Sequence, residues 1–182
     1  MNHFTFADIT ARLDWVLASP KQQGRVESLV VRPSVNERQM VASALFSPAQ
    51  GVAGDNWHSH CWKKLANGQS DPEVQVAIMN ARMIEALTQD TTRWPLAGDQ
   101  LFVDFDLSVG NLATGDQLQI GPVVLQITAE PHRGCGKFKQ RFGEAALQLV
   151  NSQQGDAHRL RGVYAKILTL GEVHVGDSIA KL

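Results

Sequence analysis

Cysteine is nearly missing from this sequence: there are two, Cys61 and Cys135, in 182 residues. Two thiols cannot build a disulfide framework, so a hydrophobic core must hold the fold. They read as reduced thiols in a reducing compartment rather than as one Cys61–Cys135 bridge. An excess of either charge is missing too. The 17 basic and 18 acidic residues leave a net charge of −1, so no global field favours nucleic acid or an anionic membrane. Electrostatic recognition must therefore be local. No apolar run approaches the ~20 residues of a membrane span. The opening stretch MNHFTFADITARLDWVLASP has no basic segment followed by an apolar one, so no secretory signal is expected. The expectation is a cytoplasmic protein with neither nucleic-acid nor membrane partners.

What is present is a change of period along the chain. Phe6, Ile9, Leu13, Val16 and Leu17 recur at helical spacing, with Thr5 as cap and Asp8 on the positive helix end. This predicts a helical extension over residues 1–23, stopped at Ser19-Pro20. RVESLVVRP and RQMVASALFS then read as strands, SPAQGVAGDNW as a turn region, and VQVAIMN as a buried strand. ARMIEALTQ reads as a helix capped by Asn80. In LFVDFDLSV, Leu101, Val103, Phe105, Leu107 and Val109 alternate with Phe102, Asp104, Asp106 and Ser108. TGDQLQIGPVVLQI reads as a hairpin turning at Gly121-Pro122. KFKQRFGEAALQLVNS returns to helical spacing, with Gly143 placed to break it, and RGVYAKILTLGEVHVGDSI returns to strands. About eight short strands and three helical segments, mostly antiparallel neighbours, point to a mostly β (α+β) chain. A closed sheet removes exposed edges, so the expected fold is one β-barrel domain over 24–182 with peripheral helices.

The chemistry concentrates in EPHRGCGKFKQRFG. Cys135 stands between Gly134 and Gly136, among His132, Arg133, Lys137, Lys139 and Arg141, with no acid between Glu130 and Glu144. The segment lies between a strand and a helix, which puts the thiol at or just before a helix N-terminus. Cations and free amides there stabilise a thiolate, which is both nucleophile and soft metal ligand. The same groups suit a phosphate. A buried apolar cysteine beside a solvated basic face would use the same residues, but the glycines and the missing acids weigh against it. Secondary candidates are Arg159 and Arg161, expected on one face of a strand after a flexible NSQQGDAH loop, and Asn111 at a strand end. His58 and His60 would share a side of an extended segment and could join Cys61, Asp55 or Cys135 in a metal site, although the spacing fits no complete zinc signature. Asp104 and Asp106 read as a solvent-facing sheet edge rather than a dyad.

The run AGDQLFVDFDLSVGNLATGDQLQIGPVVLQITAEPHRGCGKF, followed by RLRGVYAKILTLGEVHVGDSI, resembles the MOSC domain, named for the C-terminal domain of molybdenum cofactor sulfurase. The match is strongest over 98–179 and looser upstream, where GVAGDNW is its clearest element. The resemblance implies a MOSC-like barrel in which Cys135 falls on the family cysteine. That cysteine would carry sulfur as a persulfide or ligate molybdenum. The implied cofactor is the molybdenum cofactor (molybdopterin), its phosphate held by Arg133, Gly134, Gly136, Lys137, Arg159, Arg161 and Asn111. Nothing in these 182 residues resembles the pyridoxal-phosphate desulfurase domain of full-length sulfurases, so no pyridoxal phosphate is expected on this chain, and a separate cysteine desulfurase would be the sulfur donor. The leading expectation is a sulfur carrier or delivery domain acting on the cofactor or a molybdoenzyme, with a homodimer as the expected assembly. The alternatives are a molybdenum-dependent oxidoreductase and a non-catalytic binding domain.

Overall fold

The computed structural model describes residues 3–182, so the first two residues of the expected extension lie outside it. Two short helices open the chain, α1 (Phe6–Thr10) and α2 (Leu13–Leu17). They are followed by β1 (Gln23–Val31), β2 (Gln39–Val41), β3 (Ser43–Ser47) and β4 (Gly51–Val52). The one-turn helix α3 (Trp57–His60) leads to β5 (Val76–Asn80), α4 (Ala81–Thr88) and β6 (Leu101–Asp104). A hairpin follows, β7 (Gln117–Ile120) and β8 (Val123–Ile127), and then α5 (Gly136–Phe142), α6 (Glu144–Val150) and α7 (Gln153–Ala157). The chain ends in β9 (Val163–Ile167), β10 (Gly171–His174) and β11 (Ser178–Lys181).

Seven strands close on themselves in the order β1-β6-β5-β9-β8-β7-β11, and the β11–β1 pairing completes the barrel. β5 and β6 are parallel, joined by α4 and a 3-10 turn (Thr91–Ala97); the other barrel pairs are antiparallel. β10, β3 and β4 form a small second sheet. Closure leaves no barrel edge to aggregate.

Strand alternation explains the two cores. Val26, Ile78, Leu101, Val103, Leu125 and Ala165 fill the barrel interior. Their neighbours Val30, Met79 and Phe102 point outward and are buried under Ile9, Met83, Ile84, Phe138 and Leu149 of the helices. Burying each such side chain contributes roughly 1.5–3 kcal/mol. β5 is buried on both faces for this reason, which is why it reads as a continuous apolar run.

The local signals hold where they are short-range. Thr5 and Asp8 form a reciprocal capping box, and Asn80 accepts from the Arg82 and Met83 amides. Gly143, at φ 94°, separates α5 from α6. Other expectations change. The N-terminal helix is two: α1 ends at Thr10, whose hydroxyl donates to the Phe6 and Ala7 carbonyls, and α2 begins at Leu13. Among the described residues there are eleven strands and seven α-helices rather than about eight and three. β6 stops at Asp104; Asp106 accepts from the Ser108 amide and turns the chain, although Phe105 and Leu107 stay in the core. Residues 153–157, expected as a flexible loop, form α7, capped by the Ser152 hydroxyl on the Gly155 amide.

Candidate functional site

The β1 end, the α3 segment, the turn before β6, β9 and the loop from β8 into α5 meet around a cavity of about 520 Å³. Six permanent cations reach its walls: Arg32, Arg38, Arg133, Lys137, Arg141 and Arg161. Among the described residues no carboxylate does. A chain of near-zero net charge thus gathers one sign at one place. Two acids sit behind the wall and fix the arginines. Asp55, fully buried, takes two bonds from Arg32, at 2.8 and 2.9 Å. Asp99, also fully buried, takes two from Arg161 Nη1, at 3.0 and 2.8 Å, while Arg161 Nη2 donates to the Ala97 carbonyl. Arg161 also lies over the Phe138 ring, 5.0 Å from its centre. Burial pushes the Asp99 carboxyl up against the pull of Arg161.

Cys135 lines this cavity and is exposed. It occupies the N-cap of α5 in extended geometry and makes no formal side-chain capping bond. Partial burial disfavours its thiolate, but the Phe138 and Lys137 amides and the Arg161 guanidinium outweigh that, so its pKa falls below the ordinary thiol value. Arg38 has a lowered pKa, first through burial and then through Arg141 and Arg32. Such mutual repulsion is relieved by an anion. Arg38 Nε, Arg161 Nε and Trp57 Nε1 are buried without a hydrogen-bond partner at the same cavity.

Sequence reasoning missed Tyr164, Arg32 and Arg38, and counted His132 only among the potential cations around the thiol. His132 sits between the Tyr164 ring, 4.2 Å away, and Asp99, whose Oδ1 is 3.6 Å from Nδ1. That approach is no ion pair. Burial, then Arg161 and Arg32, hold His132 well below its ordinary 6.5, so the ring is neutral and Nδ1 is unpartnered. Tyr164 is likewise neutral, pushed up to about 12 by burial and then by Asp99. The sign of the linkage is fixed: the unfolded state binds the His132 proton and the folded state resists it. Stability is therefore full above pH 6.5 and falls below it, by up to about 1.4 kcal/mol per pH unit. His132→Phe keeps the stacking surface and is expected to flatten that part of the acid limb in urea titrations at successive pH values.

The other expected site residues divide. Arg133 lines the cavity but pairs with Asp156 at 2.7 Å. The Gly134 amide donates to the Asn151 side chain, and its carbonyl accepts from it, so neither is free for a ligand. A Cβ at Gly134 would meet the Leu147 side chain at 2.8 Å, so this glycine packs closely against α6. Gly136 begins α5 with open space around it. Lys137 faces the cavity, whereas Lys139 pairs with Glu144. Arg159 and Arg161 do not share a strand face; both precede β9 in a turn that gives Arg159 φ 46°. Arg159 donates to the Leu112 carbonyl and borders a separate cavity of about 280 Å³ that also holds Glu130 and Asp156. The Asn111 amide donates to the Lys21 and Asp106 carbonyls, which is turn chemistry away from the cysteine. Asp104 pairs with Arg82. The segment of His58 and His60 is helical, not extended; His60 reaches the cavity and His58 does not. Among the described residues no group of three or more His, Cys, Asp or Glu side chains could hold a metal ion, so the expected histidine site is not assembled.

Fold and site together define a class: a small closed barrel presenting a cysteine to a cationic cavity at one end. The model of the MOSC domain matches residues 68–180, more than half of the chain, and the chain belongs to that family. The family is associated with the molybdenum cofactor. Among solved structures, YuaD protein from Bacillus subtilis is similar at 17% identity and TM-score 0.62, over 86% of this chain and 94% of that one. YiiM from Geobacillus stearothermophilus is similar at 14% identity and TM-score 0.59, over 87% and 75%. YiiM from Escherichia coli is similar at 15% identity and TM-score 0.55, over 87% and 69%. Likeness at these identities speaks for the fold alone. No curated protein matches the sequence.

Proposed function

We propose that this chain is a sulfur carrier of molybdenum-cofactor chemistry, with Cys135 as the sulfur-bearing residue. The observation that carries the reading is one exposed cysteine on the wall of a cavity with six permanent cations and no carboxylate. The cavity volume is in the range of small-ligand sites, roughly 300–1,000 Å³. Its partnerless guanidinium nitrogens and missing acids fit a phosphate-bearing pterin. Arg38, Lys137 and Arg141 would hold the anionic end, and Trp57, Phe138 and Tyr164 would flank the ring. When bound, the cofactor supplies a molybdenum centre able to take a sulfur ligand.

The chemistry of this chain's own residues is a thiolate displacement. The Cys135 thiolate attacks the outer sulfur of a donor persulfide, such as one carried by a separate cysteine desulfurase. A new S–S bond forms on Cys135, the donor's S–S bond breaks, and the donor cysteine leaves as a thiolate. No net oxidation occurs. The surrounding cations keep both the attacking sulfur and the product persulfide anionic. Protein purified anaerobically from cofactor-competent cells is expected to carry the mass of one extra sulfur, removable by a dithiol, and Cys135→Ser abolishes it. Unlabelled wild-type protein, or equal labelling of the serine variant, refutes the reading.

A second reading has its own support. Because Cys135 lies on the cavity wall rather than outside it, a ligand filling the cavity would touch the sulfur. Cys135 would then ligate molybdenum in an oxidoreductase. Stoichiometric molybdenum in the purified protein, lost in Cys135→Ser, favours that reading. A purely packed, non-catalytic cysteine is disfavoured by its exposure.

A further inference from the structure

The only other cysteine of the chain lies on the wall of the same cavity. Cys61 ends α3, its amide bonded to the Trp57 carbonyl, and packs with Trp57, Val74 and Tyr164. Neither cysteine is in a disulfide. Both thiols thus line one cavity, Cys135 exposed and Cys61 buried with 8% of its surface exposed. We propose that Cys61 resolves the persulfide on Cys135, releasing its outer sulfur as hydrosulfide inside the cavity; the inference rests on the sulfur-carrier reading.

The step balances. The Cys61 thiolate attacks the inner sulfur of Cys135–S–SH. A Cys61–Cys135 bond forms, the S–SH bond breaks, and the outer sulfur leaves as HS⁻ with the bonding pair. The sulfane sulfur is reduced to sulfide while the two thiols are oxidised to a disulfide. A dithiol reductant then restores both thiols. The leaving group is an anion, and the cavity meets it with cations and no competing carboxylate. The bridge needs Cα atoms within about 7 Å. Cys61 is carried by the end of the one-turn helix α3, before exposed Trp62, and Cys135 by the loop before α5, so the bridge requires these two short segments to approach. Without Cys61, Cys135 could only hand its sulfur to another thiol; with it, the chain delivers sulfide.

The test loads the full chain anaerobically with inorganic polysulfide, removes the excess, and quenches samples over time with an alkylating agent. Intact mass and released sulfide are read together. Wild-type protein is expected to lose the extra sulfur, release one equivalent of sulfide and protect both cysteines from alkylation until a dithiol is added. Cys61→Ser and Cys61→Ala are expected to load normally but hold the persulfide at least about tenfold longer. The wild-type readout needs no variant to fold. A wild-type persulfide as long-lived as that of the Cys61 variants, with no disulfide, overturns the resolving role and leaves the carrier reading standing. Failure of Cys61→Ser and wild-type protein alike to load overturns both.

Discussion

Arg161→Met is expected to lower stability by about 3–5 kcal/mol, a large share of the margin of a domain this size. Asp99 is fully buried, and the side chain of its partner Arg161 is 8% exposed. Removing the guanidinium leaves a carboxylate with no bidentate donor in a site that already raises its pKa by burial. The Ala97 carbonyl loses its donor as well. The double variant Asp99→Leu/Arg161→Met is expected to recover most of the loss, because a buried ion pair and an apolar pair of like volume are often close in energy. The loss in the single variant should shrink towards acid pH, where Asp99 takes up a proton and stops being a buried charge. Urea midpoints of the three proteins at neutral and acid pH test both statements. If the single variant loses less than about 1 kcal/mol, the pair is not the anchor of the cavity wall. Cys135 alkylation in the folded single variant gives a separate reading, since Arg161 is among the groups that lower its pKa.

That pairing also marks where sequence reading stops. Caps are legible because donor and acceptor lie within three residues, as Thr5 with Asp8 and Asn80 with Met83 show. The alternation of Leu101 and Val103 with Phe102 is legible because a strand has a period of two. The partner of Arg161 is 62 residues away, and that of Arg32 is 23 away. No periodicity joins them; only barrel closure does. Arg38 was hidden in the same way, in a loop whose destination depends on the β1–β2 hairpin. α7 was hidden by its glycine. Gly155 reads as a loop residue, but a Cβ there would lie 2.3 Å from the Leu149 carbonyl oxygen, so close helix packing requires it. Gly134 misled in the opposite sense: beside a cysteine it suggests room for a ligand, and it is instead the seat of α6. The cysteine itself was legible because chemistry of that kind needs its cations nearby, and several are local. The cavity was not, because Arg32 and Arg38 reach it from the β1–β2 loop and Tyr164 from β9, both distant in sequence from Cys135.

Gly162→Ala is expected to be worse tolerated than any cavity-facing substitution. Gly162 sits at φ 108°, and a Cβ there would lie 2.1 Å from the Ile78 carbonyl oxygen. That oxygen belongs to β5, and Ile78 is paired in register with Val163, the residue after the glycine. No flexible side chain can yield; the β5–β9 junction itself must open. Backbone strain accounts for only about 1–3 kcal/mol of the expected loss. Gly115 separates the two contributions. It has a similar φ of 93° but nothing within 4 Å of the position a Cβ would take, so Gly115→Ala is expected to show the strain alone. Urea midpoints, or soluble yield where the protein does not fold, should place Gly162→Ala well below Gly115→Ala. Equal losses would mean that the barrel gives way at this seam. The same seam carries Arg161 on one side and touches the His132 ring, 3.3 Å from the would-be Cβ. An opened junction therefore moves the wall behind Cys135 as well as the strand pair, and thiol reactivity in any folded fraction should change with stability rather than independently of it.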